Sequence, residues 1–450
     1  MSAEAILIVG VGVVLALPIA SRLVGRRFDP FEPIVIFALA WGVMFVVRPA
    51  AILIRDDTNF YNVDIGDTLD QALLLGLLGA VGFVVGYESS LGARAASRLR
   101  RPPGTFSPAR VAAGAAVVAA LGVLTFVVLL IQSGGSSALE IFLNGRSSEL
   151  TALIEGSSTY LWYGSLLVIP ATLALVGLAF DDRQPRMIAA TLGVSALALL
   201  RTVPVGGRVF LLILLGSVLV FAYVRRRRRP GRVVLLGGLA CALLTSAVLV
   251  NLRYSENRSN LSGVLSGLAS TPSSVFSPLI KGPDAEMAPA LAGALQAVPE
   301  ALPYRYGSVI FGDLVARPIP AQLWTGKPEP PGQEVVGVVW PQAKGDFDPA
   351  FTPLLFLFWD FGLVGVAVGM VLLGAGARGL YAYFLLHPAN VLVQLLFAAG
   401  IWYLVAAVRH DPVTVFVWGM VLFAPLVAIF FFASRGGGQD PYPSQTTRAG

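Results

Sequence analysis

The sequence predicts an all-α integral membrane protein with about eleven transmembrane helices and one large loop. Of its 450 residues, 56% are hydrophobic and only 13% are charged, a balance far from that of a soluble domain. Apolar stretches close to the roughly 20 residues needed to cross a hydrocarbon core recur along the chain. The five-arginine run Arg225 to Arg229 abuts the apolar stretch Val209 to Val224. So dense a basic cluster stays on the cytoplasmic side of a bilayer, and it orients all the other segments.

The expected segments run roughly from 4 to 20, 33 to 54, 69 to 87, 108 to 131, 159 to 179, 187 to 203, 208 to 224, 232 to 250, 352 to 377, 389 to 408 and 412 to 433. The first lacks a basic start and is followed by Arg22, Arg26 and Arg27, so it reads as an anchor with its N-terminus outside and not as a cleaved leader. The chain then alternates. The loops expected on the cytoplasmic side hold Arg22 to Arg27, Arg94 to Arg110, Arg183 with Arg186, Arg225 to Arg232, Arg378, and the tail from Arg435. Segment six is short and ends in Arg201-Thr-Val-Pro-Val-Gly-Gly, and segment nine carries Asp360 near its outer end. Both are candidates for partly re-entrant segments.

The expected organisation is helices one to eight in 1–250, a large extracytoplasmic loop in 251–351, helices nine to eleven in 352–434, and a cytoplasmic tail in 435–450. The tail is polar and rich in glycine and proline, a composition expected to be disordered. A loop of about a hundred residues is too long for a mere connection and points to function. Smaller external regions carry Asp56, Asp57, Asp64, Asp67 and Asp70 near Arg48 and Arg55, and Glu140, Arg146, Glu149 and Glu155. The two halves share no convincing repeat, which weighs against an inverted-repeat transporter. The single cysteine, Cys241, rules out an intrachain disulfide or a cysteine-built metal site. The net charge of +6 lies mostly in short loops beside membrane segments, where anionic lipid accounts for it without nucleic acid.

Arg208 is the sharpest single clue to chemistry. It follows Pro204-Val-Gly-Gly and opens a helix whose N-terminus faces outward. A cation there opposes the helix dipole, and an anion reverses the sign. Free first-turn N–H groups, a glycine turn and a forked guanidinium suit phosphate oxygens; the alternative is an arginine snorkelling toward headgroups or paired with a carboxylate. Arg201, on the other side of the same hairpin, is placed to converge on that site. Arg253 and Arg258 follow segment eight, and Arg409 closes segment ten in Arg409-His410-Asp411-Pro412. His410, the histidine of the external side, is either a base or a satisfied interfacial residue, and Asp411 is better placed to orient Arg409 than to titrate. The Asp56-Asp57 pair and Asp346-Phe347-Asp348 offer oxygen ligands, yet short acidic runs are common on solvated loops, and no metal is expected.

The large loop reads YRYGSVIFGDLVARPIPAQLWTGKPEPPG from Tyr304 to Gly332, then FDPAFTPLLFLFWDFGLVGVAVG from Phe347 to Gly369. That order resembles the Wzy-like family of O-antigen and capsule repeat-unit polymerases. The matching features are Tyr306-Gly307, Pro318 to Pro320, Trp324, Lys327-Pro328, Phe361-Gly362 and the Gly207-Arg208 start of segment seven. The resemblance covers roughly 200 to 415, and the first 200 residues match only as a pattern of hydrophobic helices.

The resemblance implies a C-type glycosyltransferase-like membrane enzyme, without a cofactor, that joins polyprenyl-pyrophosphate-linked oligosaccharides on the external face of the bacterial cytoplasmic membrane. Its partners would be that lipid-linked donor, membrane lipid, a chain-length regulator and a flippase. Arg201, Arg208, Arg253, Arg305 and Arg409 are then the candidates for the pyrophosphate, whose growing negative charge they would stabilise. The candidate bases are His410, Asp313 and Glu256. Tyr304, Tyr306, Trp324 and Lys327 are the candidate glycan contacts, and interface anchoring is the equal alternative for the aromatic residues. A ligase using the same donor, or a lipid-linked oligosaccharide flippase or transporter, are the other readings.

Overall fold

The computed structural model describes residues 2–144, 159–181, 184–203, 208–226, 285–317, 326–343 and 349–434, with isolated positions between them. These residues form an α-helical bundle. Its only sheet among the described residues is a two-stranded hairpin, β1 (Asn59–Phe60) against β2 (Val63–Asp64). Seven helices are long and apolar enough to cross a membrane by length and composition: α1 (Ala3–Val24), α2 (Pro33–Arg55), α3 (Gly66–Glu88), α5 (Pro108–Gln132), α7 (Tyr160–Asp181), α13 (Pro353–Leu386) and α15 (Pro412–Ala433). Two shorter apolar helices join them, α9 (Val209–Arg225) and α14 (Val391–Ala407). The remaining helices are α4 (Ser90–Arg98), α6 (Ser136–Asn144), α8 (Pro185–Thr202), α10 (Met287–Leu295), α11 (Asp313–Ala316) and α12 (Pro331–Val339). The expected segment eight, 232 to 250, and the tail lie outside the described residues, apart from isolated positions.

Several helices are capped by side chains. Ser2 accepts from the N–H of Ala5, Thr352 from Leu354, Asn390 from Val393 and Asp411 from Thr414. Proline at the first helical turn of α2, α5, α8, α13 and α15 fixes φ where the missing N–H costs nothing. Among the described residues three π turns interrupt the α pattern: Val43–Val47 inside α2, Leu212–Gly216 inside α9, and Ser308–Gly312 ahead of α11.

One expectation is corrected. The sequence places Arg378 in a loop after segment nine, but α13 runs through it to Leu386. The charge stays in the helix because its guanidinium lies over Tyr87 at 5.6 Å and Tyr381 at 6.0 Å, where the ring faces attract it. At the other end α13 breaks at Gly362, whose φ of 61° and ψ of −152° are not helical.

Two apolar cores hold the bundle. The first gathers α1, α2, α3, α10 and the start of α13 around a ladder of rings, with Phe37 on Phe83 at 3.6 Å and Trp41 on Phe45 at 4.6 Å. The second gathers α5, α7, α9, α14 and α15 around Phe221, Phe397 and Phe430. The crossing of α3 and α13 is close. A Cβ at Gly86 would stand 2.0 Å from the Val371 carbonyl oxygen, and one at Gly374 2.1 Å from that of Phe83. Small residues allow such an approach between membrane helices, where dispersion replaces the hydrophobic drive.

Contacts sort the helix ends into two sets. One end joins Arg22 to Glu32 and Glu88, Arg225 to Asp181, the hydroxyl of Tyr383 to the Arg100 carbonyl, and Asn390 to the Pro103 carbonyl. Every one of those loops belongs to the set that the basic clusters group together. At the other end the large loop folds back onto the bundle. Its helix α10 is buried along its length, Thr68 donates to the Ala292 carbonyl at 2.7 Å, and the Trp340 indole donates to the Phe60 carbonyl at 3.3 Å. The described part of the loop around α10 and Trp340 is therefore part of the core at that end.

Candidate functional site

At the loop end the structure brings together residues that are far apart in the chain. Asp313 opens α11, and Arg317 follows one helical turn later, so an i,i+4 ion pair forms with Nη2 2.5 Å from Oδ2. The same guanidinium reaches Asp411 Oδ1 at 3.7 Å and donates to the Thr414 hydroxyl. Asp411 is held in turn because its Oδ1 caps α15 through the Thr414 N–H at 2.7 Å. Tyr163 faces Arg317 and Asp411 from α7, and the Tyr160 hydroxyl donates to the Arg317 carbonyl at 3.1 Å.

Electrostatics follow from that packing. Burial pushes the Asp313 carboxyl above the ordinary carboxylate range, against the pull of Arg317. Burial works against the charge of Arg317 too, but Asp411 and Asp313 together hold it above the ordinary guanidinium range. A buried carboxyl with a raised affinity for protons, beside fixed charges, has the character of a general base or acid.

An open cleft of about 440 Å³ is lined by Tyr304, Tyr306, Asp360, Phe361, Gly362 and Val364. Gly362, where α13 breaks, is part of its wall. Asp360, fully buried, accepts the N–H of Val309 at 3.0 Å and of Ile310 at 2.9 Å, so the first turn after Tyr306-Gly307 is capped from another element. Tyr306 has φ 51° and Gly307 φ 99°. A bulky residue in the left-handed region is uncommon, and such outliers concentrate at functional sites. Tyr306 is largely exposed, and Tyr304 meets Phe358 edge to face at 5.8 Å.

Arg201 lies on a third element. It is only 3% exposed. Its Nε donates to the Ser165 hydroxyl at 2.5 Å, Nη2 donates to the Trp162 carbonyl at 3.3 Å, and the guanidinium sits 3.8 Å from the Trp162 ring centroid, with Phe126 and Phe142 nearby. Among the described residues its partners are neutral. The segment Tyr160 to Ser165 therefore touches Arg201 through Trp162 and Ser165, and Arg317 through Tyr160 and Tyr163.

The other sequence-predicted residues divide. Arg409 and His410 fill the turn between α14 and α15, beside Asp411, and the His410 ring meets Trp418 at 4.8 Å. Arg305 pairs with Glu334 and covers the Trp359 ring at 5.1 Å. Lys327 donates to the Ile319 carbonyl at 2.9 Å, and the Trp324 carbonyl accepts its N–H at 3.0 Å, so both belong to a turn that closes the loop after Arg317. Arg208 immediately precedes α9, at the head of the helical turn Arg208–Leu211, and its side chain, like Arg253, Glu256, Asp346 and Asp348, lies outside the described residues. Among the described residues no three His, Cys, Asp or Glu side chains gather as a metal-holding group.

Sequence reasoning missed Arg317, the hub of the cluster, and the Tyr160–Ser165 bridge. The signal for Arg317 was the i,i+4 carboxylate–guanidinium spacing from Asp313. No family model, curated protein or solved structure matches the chain.

Proposed function

We propose that this chain is a multi-pass glycosyltransferase of the bacterial cytoplasmic membrane. In this reading it has about eleven spans, its loop end faces outward, and it joins polyprenyl-pyrophosphate-linked oligosaccharide units into a longer glycan. The observation that carries the reading is that Arg317, paired with the proton-accepting carboxyl of Asp313, and the buried guanidinium of Arg201 both contact the Tyr160–Ser165 segment, while the loop that bears Asp313 also contributes Tyr304 and Tyr306 to a cleft. The carboxyl, the buried guanidinium and the cleft are the three parts that transfer from a lipid pyrophosphate requires.

In this reaction an acceptor hydroxyl oxygen forms a bond to the anomeric carbon of the donor glycan. The bond from that carbon to the pyrophosphate oxygen breaks, and the polyprenyl pyrophosphate leaves with the electron pair. The acceptor proton goes to Asp313, the choice among the candidate bases favoured by its burial and raised proton affinity. Tyr304 and Tyr306 are placed to stack on sugar faces. Arg201, whose described hydrogen-bond partners are neutral, is assigned to the leaving group, and Arg208, immediately before α9, is the second cation. Stabilising charge that develops in the transition state is commonly the largest catalytic term.

The test is to supply the purified protein, in liposomes, with a lipid-linked oligosaccharide. A ladder of lengthening glycans with release of polyprenyl pyrophosphate supports the reading. Transfer only to an added acceptor of another kind makes the protein a ligase. Movement of the lipid across the bilayer without a new glycosidic bond replaces the reading with a flippase.

A further inference from the structure

The proposed reaction leaves Arg317 and Asp411 without a role, although more of the loop end is tied to Arg317 than to any of the sequence-predicted residues. We infer that Arg317, held between Asp313 and Asp411, is a positioning residue that clamps the Asp313 carboxyl for proton transfer and fastens it to the start of α15. The inference rests on the reading of Asp313 as the base.

Geometry supports a clamp rather than a simple surface ion pair. Arg317 meets both oxygens of Asp313, through Nη2 at 2.5 Å and Nε at 3.4 Å. Its backbone N–H donates to the Asp313 carbonyl at 2.7 Å. Nη1 donates to the Thr414 hydroxyl, and Nη2 lies 3.7 Å from Asp411 Oδ1. The Arg317 carbonyl is occupied as well, by the Tyr160 hydroxyl and by Lys327 Nζ at 3.5 Å. A planar fork fixed at that many points leaves Asp313 little rotational freedom, and a lysine there would not reproduce the paired contacts. Side-chain exposures of 17% for Arg317, 11% for Asp313 and 22% for Asp411 put the three at the edge of water, where a proton can still enter and leave.

The charged neighbours act on Asp313 with opposite signs. Arg317 and Lys327 favour its ionised form, while burial and Asp411 oppose it; Tyr163 borders the Arg317 side of the group. Glycan extension needs the unprotonated carboxylate, so activity falls as pH drops through the Asp313 midpoint. Removing Arg317 takes away the cation that keeps the proton off, and the acid limb of the pH profile moves to higher pH. Removing the charge of Asp411 takes away a repelling anion, and the limb moves to lower pH. A residue that merely holds the fold lowers turnover at every pH and leaves the limb where it was.

The experiment compares pH profiles of glycan extension for the full-length protein in liposomes with those of Arg317→Gln, Arg317→Lys, Asp411→Asn and Asp313→Asn. Asparagine still caps α15, so Asp411→Asn isolates the charge. The expected result is a limb displaced upward in Arg317→Gln, displaced downward in Asp411→Asn, and close to wild type in Arg317→Lys with reduced kcat. Asp313→Asn should lose on the order of 10²- to 10⁴-fold in kcat. A limb unmoved in both Arg317→Gln and Asp411→Asn, or moved the same way in both, overturns the clamp. Should Arg317→Gln fail to fold, the downward shift of Asp411→Asn and the kcat loss of Arg317→Lys decide the matter. Infrared difference spectra of the purified protein against pH, with Asp313→Asn to assign the carboxyl band, read the same midpoints without any substrate. Full activity in Asp313→Asn removes the base role, while the infrared shifts still test whether Arg317 and Asp411 govern that carboxyl.

Discussion

The buried carboxylate of Asp360 accepts the backbone N–H of Val309 at 3.0 Å, and this one bond fastens the loop that follows Tyr306 onto the break in α13. With the matching bond to Ile310, it joins the stretches Pro303 to Ile310 and Trp359 to Gly362, which also meet through the Arg305 and Tyr306 amides, the Trp359 indole and the Arg305 guanidinium over Trp359. Replacing Asp360 by alanine leaves one buried and one half-buried N–H without this acceptor, at about 1–3 kcal/mol for the buried one. Asp360→Ala should lower the thermal midpoint and abolish glycan extension, and Asp360→Asn, which keeps one acceptor oxygen, should retain part of both. Thermal unfolding in detergent, measured beside the extension assay, checks this; an unchanged midpoint in Asp360→Ala would show that the cap is dispensable.

The α3–α13 crossing gives a prediction about folding. A side chain at Gly86 or Gly374 would collide with backbone, at 2.0 Å and 2.1 Å from a carbonyl oxygen, and backbone cannot rotate away as a flexible side chain can. Gly86→Val and Gly374→Val should therefore prevent the protein from accumulating in the membrane. Gly376→Ala, which meets nothing within 4 Å, should accumulate normally. Quantified membrane fractions compare the three, and normal levels of both valine variants would mean that the helices do not cross this closely.

Arg201 and Arg208 test the anion chemistry. Arg201→Ala and Arg208→Ala should abolish glycan extension while the protein stays folded in the membrane. Lysine at either position should restore it only in part, since an ammonium has neither the fork for two phosphate oxygens nor the plane that lies against Trp162. For Arg201 a cation–π contribution of about 0.5–2 kcal/mol is also at stake, so thermal midpoints must accompany the activity measurements. Near-normal extension in Arg208→Ala returns that residue to a headgroup-facing role.

Orientation is tested by reporters. A reporter fused at Gly282 should be active outside the cytoplasm, and one fused at Arg229 inside it, because the arginine run stays on the cytoplasmic side. The opposite pattern puts the Asp313 cluster in the cytoplasm and removes the proposed function with it.

Helix positions were legible in the sequence because run length and hydrophobicity are what a bilayer selects: α3, α5, α14 and α15 begin and end within about three residues of the apolar stretches, inside the usual scatter of helix ends. Arg378 misled, since a charge reads as the end of a span unless its aromatic neighbours, Tyr87 and Tyr381, are known. The π turns were invisible because a shift in hydrogen-bond register leaves no mark on composition, yet one lies directly before Arg48, one begins four residues after Arg208, and one lies between Tyr306-Gly307 and Asp313. Turns of this kind recur at functional sites. The cluster itself was half legible. Asp313 and His410 were legible as candidate bases and Arg409 as a candidate cation, but the tie of Asp313 through Arg317 to Asp411 is a tertiary fact that a single sequence does not carry.

Glycan extension should not depend on a divalent metal, because cations of the protein itself are available to the leaving group. Arg201 is held by neutral partners, Arg208 immediately precedes α9 and Arg409 adjoins the Asp411 cap, whereas Asp313 and Asp411 are engaged by Arg317, Asp360 by backbone N–H groups and Glu334 by Arg305. A chelator should therefore leave activity nearly intact. If Arg208 and Arg409 work on the same pyrophosphate, combined loss of both should be no worse than the more damaging single change, since residues that act as a unit are not additive. The competing outcome is as definite: activity lost in chelator, restored by magnesium or manganese, and abolished by Asp56→Ala or Asp57→Ala would replace arginine stabilisation with metal-assisted departure of the pyrophosphate.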